Sequence, residues 1–350
     1  MFNKISILLL ISCFALLLPA QAQRIPVILD TDIGDDIDDT WALGMILASP
    51  ELDLKLVVTD FGDTTGKAKI AAKFLESVGR GDIPIGVGVK TSDKAGRQIA
   101  WAEDYDLAAY PGGVIQDGIG AIIDTVASTT DTVTMIVIGP CPNIPKLLQR
   151  APAIVNHVRV VAMSGSIDRG YEGSYAPDAE YNVRADIAAA QALYRAGWDL
   201  TITPLDTCGA VRLRGIGYQD MLRMANSTPR NQLVNTIQEA YQAWAKAGNA
   251  RLDTQVASSV LYDTVAVYLA FDQSKCEIED LKLKVDHRGY TVRDPNGKTI
   301  HTAMRWAVPL NEPDEGFHQM LFDRYMSNIF IPPDEEYDPF AVLKEEIKRK

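Results

Sequence analysis

Apolar and polar positions in this chain fall into two alternating periods. Short, mostly apolar runs at 25–30, 54–60, 83–89, 133–138, 158–163 and 200–203 predict strands. Between them, residues 40–49, 66–78, 114–128, 143–150 and 185–196 repeat their apolar positions with helical spacing. Strands that are apolar on both sides and separated by helices indicate an open, mostly parallel sheet with helices on both faces. The last third reads differently. Residues 232–247, 263–270 and 316–330 predict helices, 276–285 and 289–293 a hairpin, and 304–308 a further strand. No Pro/Gly/Ser-rich linker separates this part. The expectation is one α/β domain over 23–350 with a small C-terminal α+β elaboration.

Composition adds exclusions. With 34 Lys+Arg against 46 Asp+Glu the 350-residue chain carries a formal charge of −12, and 47% of its residues are hydrophobic. That is ordinary globular composition, and the acidic balance argues against a nucleic-acid partner, which needs clustered cations. Lys4, the apolar run 5–18 and Ala20-Gln21-Ala22 read as a cleavable secretory signal over 1–22, giving a periplasmic or secreted protein. The run is too short for a stable membrane span. Lipoprotein processing at Cys13 is the rival, disfavoured because an apolar stretch would then open the mature chain. Cys141, Cys208 and Cys276 have no metal-ligand spacing and read as buried thiols.

The chemistry should sit beyond the carboxyl ends of the strands. After the first strand comes Asp30-Thr31-Asp32-Ile33-Gly34-Asp35-Asp36-Ile37-Asp38-Asp39, six carboxylates in ten residues. Helix capping accounts for one or two of them. The rest repel one another unless a cation sits among them, and Ca²⁺, with its six to eight oxygen ligands, suits such a loop.

These residues resemble the DxDxG…DD signature of the nucleoside hydrolases, enzymes that cleave N-ribosidic bonds. Five further segments are similar to the family's in the same order: Val57 to Thr65, Ile136 to Pro140 with Asn143, Met163-Ser164-Gly165, Glu180-Tyr181-Asn182 with Asp186, and Tyr262-Asp263-Thr264-Val265-Ala266. The resemblance implies a Ca²⁺ held by Asp32, Asp39, the Ile138 carbonyl and Asp263. It also implies Asp32 as the base for the attacking water and Asp38 and Asn182 on ribose hydroxyls. Glu180 would hold the 5′ end, and Met163 would lie beside the sugar. The implied substrate is a nucleoside or another ribosyl conjugate, and relatives imply a homodimer or homotetramer.

Four positions depart from the family pattern. The first loop is two residues longer between Gly34 and Asp38, which leaves open whether Asp36 replaces Asp38 or Asp39. Asp63 stands where Asn is usual, near the water. Ser174 falls where an Asn contacts the 5′-hydroxyl. Tyr262 replaces a His that can protonate the leaving base, and an ordinary phenol is a poor acid at neutral pH. The segment 90–113 is long for a plain connection, so its Trp101 is a candidate for stacking on the base, with Trp244 a second. Two other readings share parts of the pattern: a calcium-dependent ribose- or nucleoside-binding protein without turnover, and a haloacid-dehalogenase-like phosphohydrolase. The latter leaves Glu180, Asn182 and Asp263 unexplained.

Overall fold

The computed structural model describes residues 23–227, 232–248 and 253–327. The signal-sequence reading of 1–22, Cys13 included, and the end of the helix expected over 316–330 lie outside them. Ten strands form one sheet: β1 (Ile25–Thr31), β2 (Leu52–Thr59), β3 (Ile85–Val87), β4 (Val114–Ile115), β5 (Val133–Val137), β6 (Val158–Met163), β7 (Asp199–Thr203), β8 (Cys276–Val285), β9 (Thr291–Arg293) and β10 (Lys298–Trp306). Their order is β4-β3-β2-β1-β5-β6-β7-β10-β8-β9. Every pairing from β4 to β10 is parallel, and only β10–β8 and β8–β9 are antiparallel.

Alternation along β1 explains why its run is continuously apolar. Val27 and Leu29 face one hydrophobic core, with Trp41, Phe74, Tyr241 and Tyr268, whereas Ile28 faces the other, with Leu56, Ile122, Leu147 and Trp198. Both faces are buried, as helices on each side of a parallel sheet require. The C-terminal elaboration is continuous with this sheet, because β10 lies parallel to β7 through His301–Thr201 and Thr302–Ile202. The strand expected at 304–308 therefore begins earlier, at Lys298, where pairing with β8 starts.

Two expected helices are shorter than their periodicity. Residues 114 and 115 form the edge strand, and the helix Gly118–Ser128 starts only after Asp117, whose carboxylate accepts from the Gly120 N–H. The stretch 185–196 is divided at Asp186, which caps Ile187–Arg195 through the Ala189 N–H. The helix Gly215–Ser227 was not expected at all; two glycines in its first turn blur the pattern. Among the described residues no helix is long and apolar enough to cross a membrane.

Strand order runs outward from β1 in both directions, so the connections on either side of β1 diverge. That makes the carboxyl ends of β1 and β5 the crevice where an open α/β sheet binds its ligand.

Candidate active site

The acidic loop fills that crevice. Gly34 has φ +113, and a Cβ there would meet the Ala95 carbonyl at 2.8 Å, so the close approach demands glycine. The Gln98 N–H donates to the Gly34 carbonyl at 3.1 Å, and the Trp244 indole donates to the Asp35 carbonyl at 3.0 Å. Trp244, a stacking candidate in sequence, thus pins the lengthened loop at Asp35. Asp38 and Asp39 open the helix Asp38–Leu47, where the free N–H groups and the helix dipole favour negative charge.

Asp263, in the first turn of the helix Tyr262–Phe271, arrives from 225 residues away: its N–H faces an Asp38 carboxylate oxygen at 3.4 Å. Asp38, Asp39 and Asp263 are all buried and offer carboxylate oxygens within 4.8 Å of one another. Three hard oxygen donors so close fit a divalent cation. Asp32 stands beside this trio. Burial, and after it the nearby Asp39, raise its carboxyl well above the usual range. Burial followed by neighbouring carboxylates does the same to Asp38, Asp39 and Asp263.

In the longer loop Asp38 and Asp39 join Asp263 in the trio, while Asp35 and Asp36 line the same cleft. Asp36 lies outside the trio, where its carboxylate accepts from the Ile37 N–H at 2.7 Å, and Asp35 pairs with Lys67 at 3.0 Å. The Thr31 hydroxyl donates to Asp39, fixing its side chain.

The opposite wall comes from β5, β6 and the segment after β6. The Ile138 carbonyl and Met163 line the cleft, and the Asn182 amide donates to the Ile138 carbonyl at 3.0 Å and to the Met163 carbonyl at 3.3 Å. Glu180 caps the helix Tyr181–Ala185. One of its oxygens accepts from Asn182 N–H at 2.7 Å, the other from Gly165 N–H at 3.1 Å and Val183 N–H at 3.2 Å. Burial pushes its carboxyl up to about 7 despite these donors. Tyr262 also lines the cleft, edge-on to Tyr171 at 6.2 Å between ring centroids, and burial raises its phenol further. The cleft measures ≈ 140 Å³, below the roughly 300–1,000 Å³ of drug-sized ligand sites.

Three sequence candidates do not line it. Ser174 is exposed, its hydroxyl accepting from the Ala176 N–H. Trp101 packs against the core under the Lys73 ammonium, which lies 4.5 Å from the ring centroid. Asp63 precedes the helix Thr64–Ser77 and faces Lys90 at 3.6 Å. Each was placed by its position in a motif or loop, and the chain path carries each past the crevice.

Sequence reasoning missed Tyr171 and Tyr181 as wall residues, and it missed Lys67. For Lys67 a signal existed: Ile70, Ala71 and Phe74 follow it at i+3, i+4 and i+7 and are all buried, so it shares the core face of its helix.

Residues 27–316 match the family described as inosine-uridine preferring nucleoside hydrolase. The chain belongs to that family. As a nucleoside hydrolase it acts on N-glycosyl bonds, and the family is metal-dependent. A non-specific ribonucleoside hydrolase of Klebsiella pneumoniae is 29% identical over 240 residues, covering 66% of this chain and 76% of that protein. One from Escherichia fergusonii is 33% identical over 194 residues, covering 53% of this chain and 62% of that relative. Solved structures share the fold. A purine-preferring ribonucleoside hydrolase from Gardnerella vaginalis superposes with TM-score 0.69 at 22% identity, over 87% of this chain and 98% of its own. An inosine-uridine preferring nucleoside hydrolase from Bacillus anthracis gives 0.64 at 15% identity over the same shares.

Proposed function

We propose that this nucleoside hydrolase is calcium-dependent, frees ribose from its nucleoside substrates, and is exported by the segment 1–22. The observation that carries the reading is the buried trio Asp38, Asp39 and Asp263, gathered from both ends of the chain at the mouth of one cleft. Asp32, Asp39, Asp263 and the Ile138 carbonyl would hold the ion, and Asp38 would share its position in the trio with a bond to a ribose hydroxyl. Bound calcium supplies positive charge that orients the sugar diol and lowers the pKa of the adjacent water.

The chain's own residues supply the rest. Asp32 takes the proton from the attacking water at a carboxylate oxygen. Breaking the C1′–N bond builds positive charge on the sugar, and the fixed carboxylates around it stabilise that charge as it develops. Asn182 and Glu180 bind the sugar hydroxyls, and Met163 packs beside the ring. Tyr171, Tyr181 and Tyr262 form an aromatic wall suited to a nucleobase. The raised phenol of Tyr262 is a weak acid, the one observation that favours a binding protein without turnover.

Release of reducing ribose from inosine and uridine, with calcium and after chelation, tests the proposal. Asp32→Asn should lower kcat by roughly 10²–10⁴ with calcium binding weakened but measurable. Calcium-dependent binding of nucleoside with no ribose release by the native chain would instead establish the binding protein, and near-normal Asp32→Asn turnover would remove Asp32 as the base.

A further inference from the structure

Lys67 is the feature of this molecule that the reaction does not use. Its side chain is 0% exposed, and lysine is rarely so buried without a partner. It sits in the first turn of the helix Thr64–Ser77, where the helix dipole disfavours a cation. Desolvation also opposes the charge, yet the ammonium is held above its usual range because Asp32, Asp35 and Asp39 surround it. Its Nζ donates to the Asp32 carbonyl and lies 3.0 Å from an Asp35 oxygen. Asp60, at the end of β2, faces it as well. Two penalties on a buried ammonium are thus offset by the acids of the loop together with Asp60.

We infer that Lys67 is a positioning residue: a built-in counter-ion that straps the lengthened acidic loop in place and assembles the carboxylates before a divalent ion binds. The inference rests on the calcium reading above. Asp35, in the lengthened stretch between Gly34 and Asp38, is the strap's other end. The ammonium and the divalent ion then share one task, cancelling the repulsion among Asp32, Asp35, Asp38, Asp39 and Asp263. Losing the first should make the fold lean more heavily on the second.

The test is thermal melting of the full chain and of Lys67→Met, in chelator and in saturating calcium chloride, with calcium affinity measured by calorimetry. In chelator, Lys67→Met should melt roughly 4–7 °C below the native chain. Calcium should restore at least half of that loss, so the calcium-induced rise is larger in the variant. An equal loss with and without calcium would overturn the inference and leave Lys67 as a packing residue. If calcium does not bind or shift the native chain at all, the metal reading itself fails and takes the inference with it. Should Lys67→Met not fold, the comparison moves to Asp35→Asn against Asp35→Asn/Lys67→Met. There the ammonium still faces Asp32, Asp39 and Asp60, so its removal must again enlarge the calcium rise, and an unchanged rise rejects the strap.

Discussion

Truncating Glu180 separates two roles that one side chain combines. As a substrate contact it would touch the 5′ end of the sugar; as a tie it joins the Met163–Gly165 turn to the helix that carries Asn182. Its two oxygens accept from three backbone N–H groups, of Gly165, Asn182 and Val183, in a position 2% exposed. Glu180→Ala removes a helix cap, which costs about 0.5–2 kcal/mol. It also strands the buried Gly165 N–H, a further penalty of about 1–3 kcal/mol. A central value near 3 kcal/mol corresponds to a melting temperature lowered by roughly 4 °C in a chain of this size. Urea unfolding in saturating calcium reads the stability, and ribose release in parallel should show KM raised and kcat lowered, because Asn182 shifts with its helix. A stability change below about 0.5 kcal/mol accompanied by a raised KM alone would show that Glu180 meets only the substrate and ties nothing.

Three further outcomes are expected. The Glu180 carboxyl is raised from its usual 4.5 to about 7 by burial. Its stabilising contribution is therefore fully present below about pH 4.5 and lost as pH rises through about 7. Glu180→Gln should flatten that part of the stability–pH curve by up to ~3 kcal/mol, and parallel curves in calcium would contradict the assignment. Tyr262→Phe should keep inosine turnover within about tenfold, because a phenol pushed further from neutrality is a poor proton donor; a loss of a hundredfold or more would make Tyr262 the acid. Tyr181→Ala should raise KM for nucleosides while Trp101→Ala leaves it unchanged, since only Tyr181 lines the cleft; the reverse pattern would relocate the base site to the segment 90–113.

Much of this protein was determined locally. An apolar run buried on both faces specifies a strand of a parallel sheet wherever it lies, so β1, β2, β5, β6 and β7 were legible, as was the hairpin of β8 and β9. The helices Asn143–Arg150 and Gln232–Ala247 begin and end where their periodicity does. The acid loop after β1 announced the site because six neighbouring carboxylates bracketed by apolar residues demand a compensating charge.

Only the tertiary structure decided which groups meet. Periodicity tells a residue which way to face, not what it will face, so nothing local joined Asp263 to Asp38 or extended the main sheet through β10. The same limit put Trp101, Ser174 and Asp63 outside the cleft and brought Tyr171 and Tyr181 into its wall. It also hid Lys67, whose polar side chain reads as surface until the carboxylates that hold it are folded around it. Lys67 offsets part of the charge concentrated in that loop, because electrostatic compensation depends on distance in space and the chain records only distance along itself.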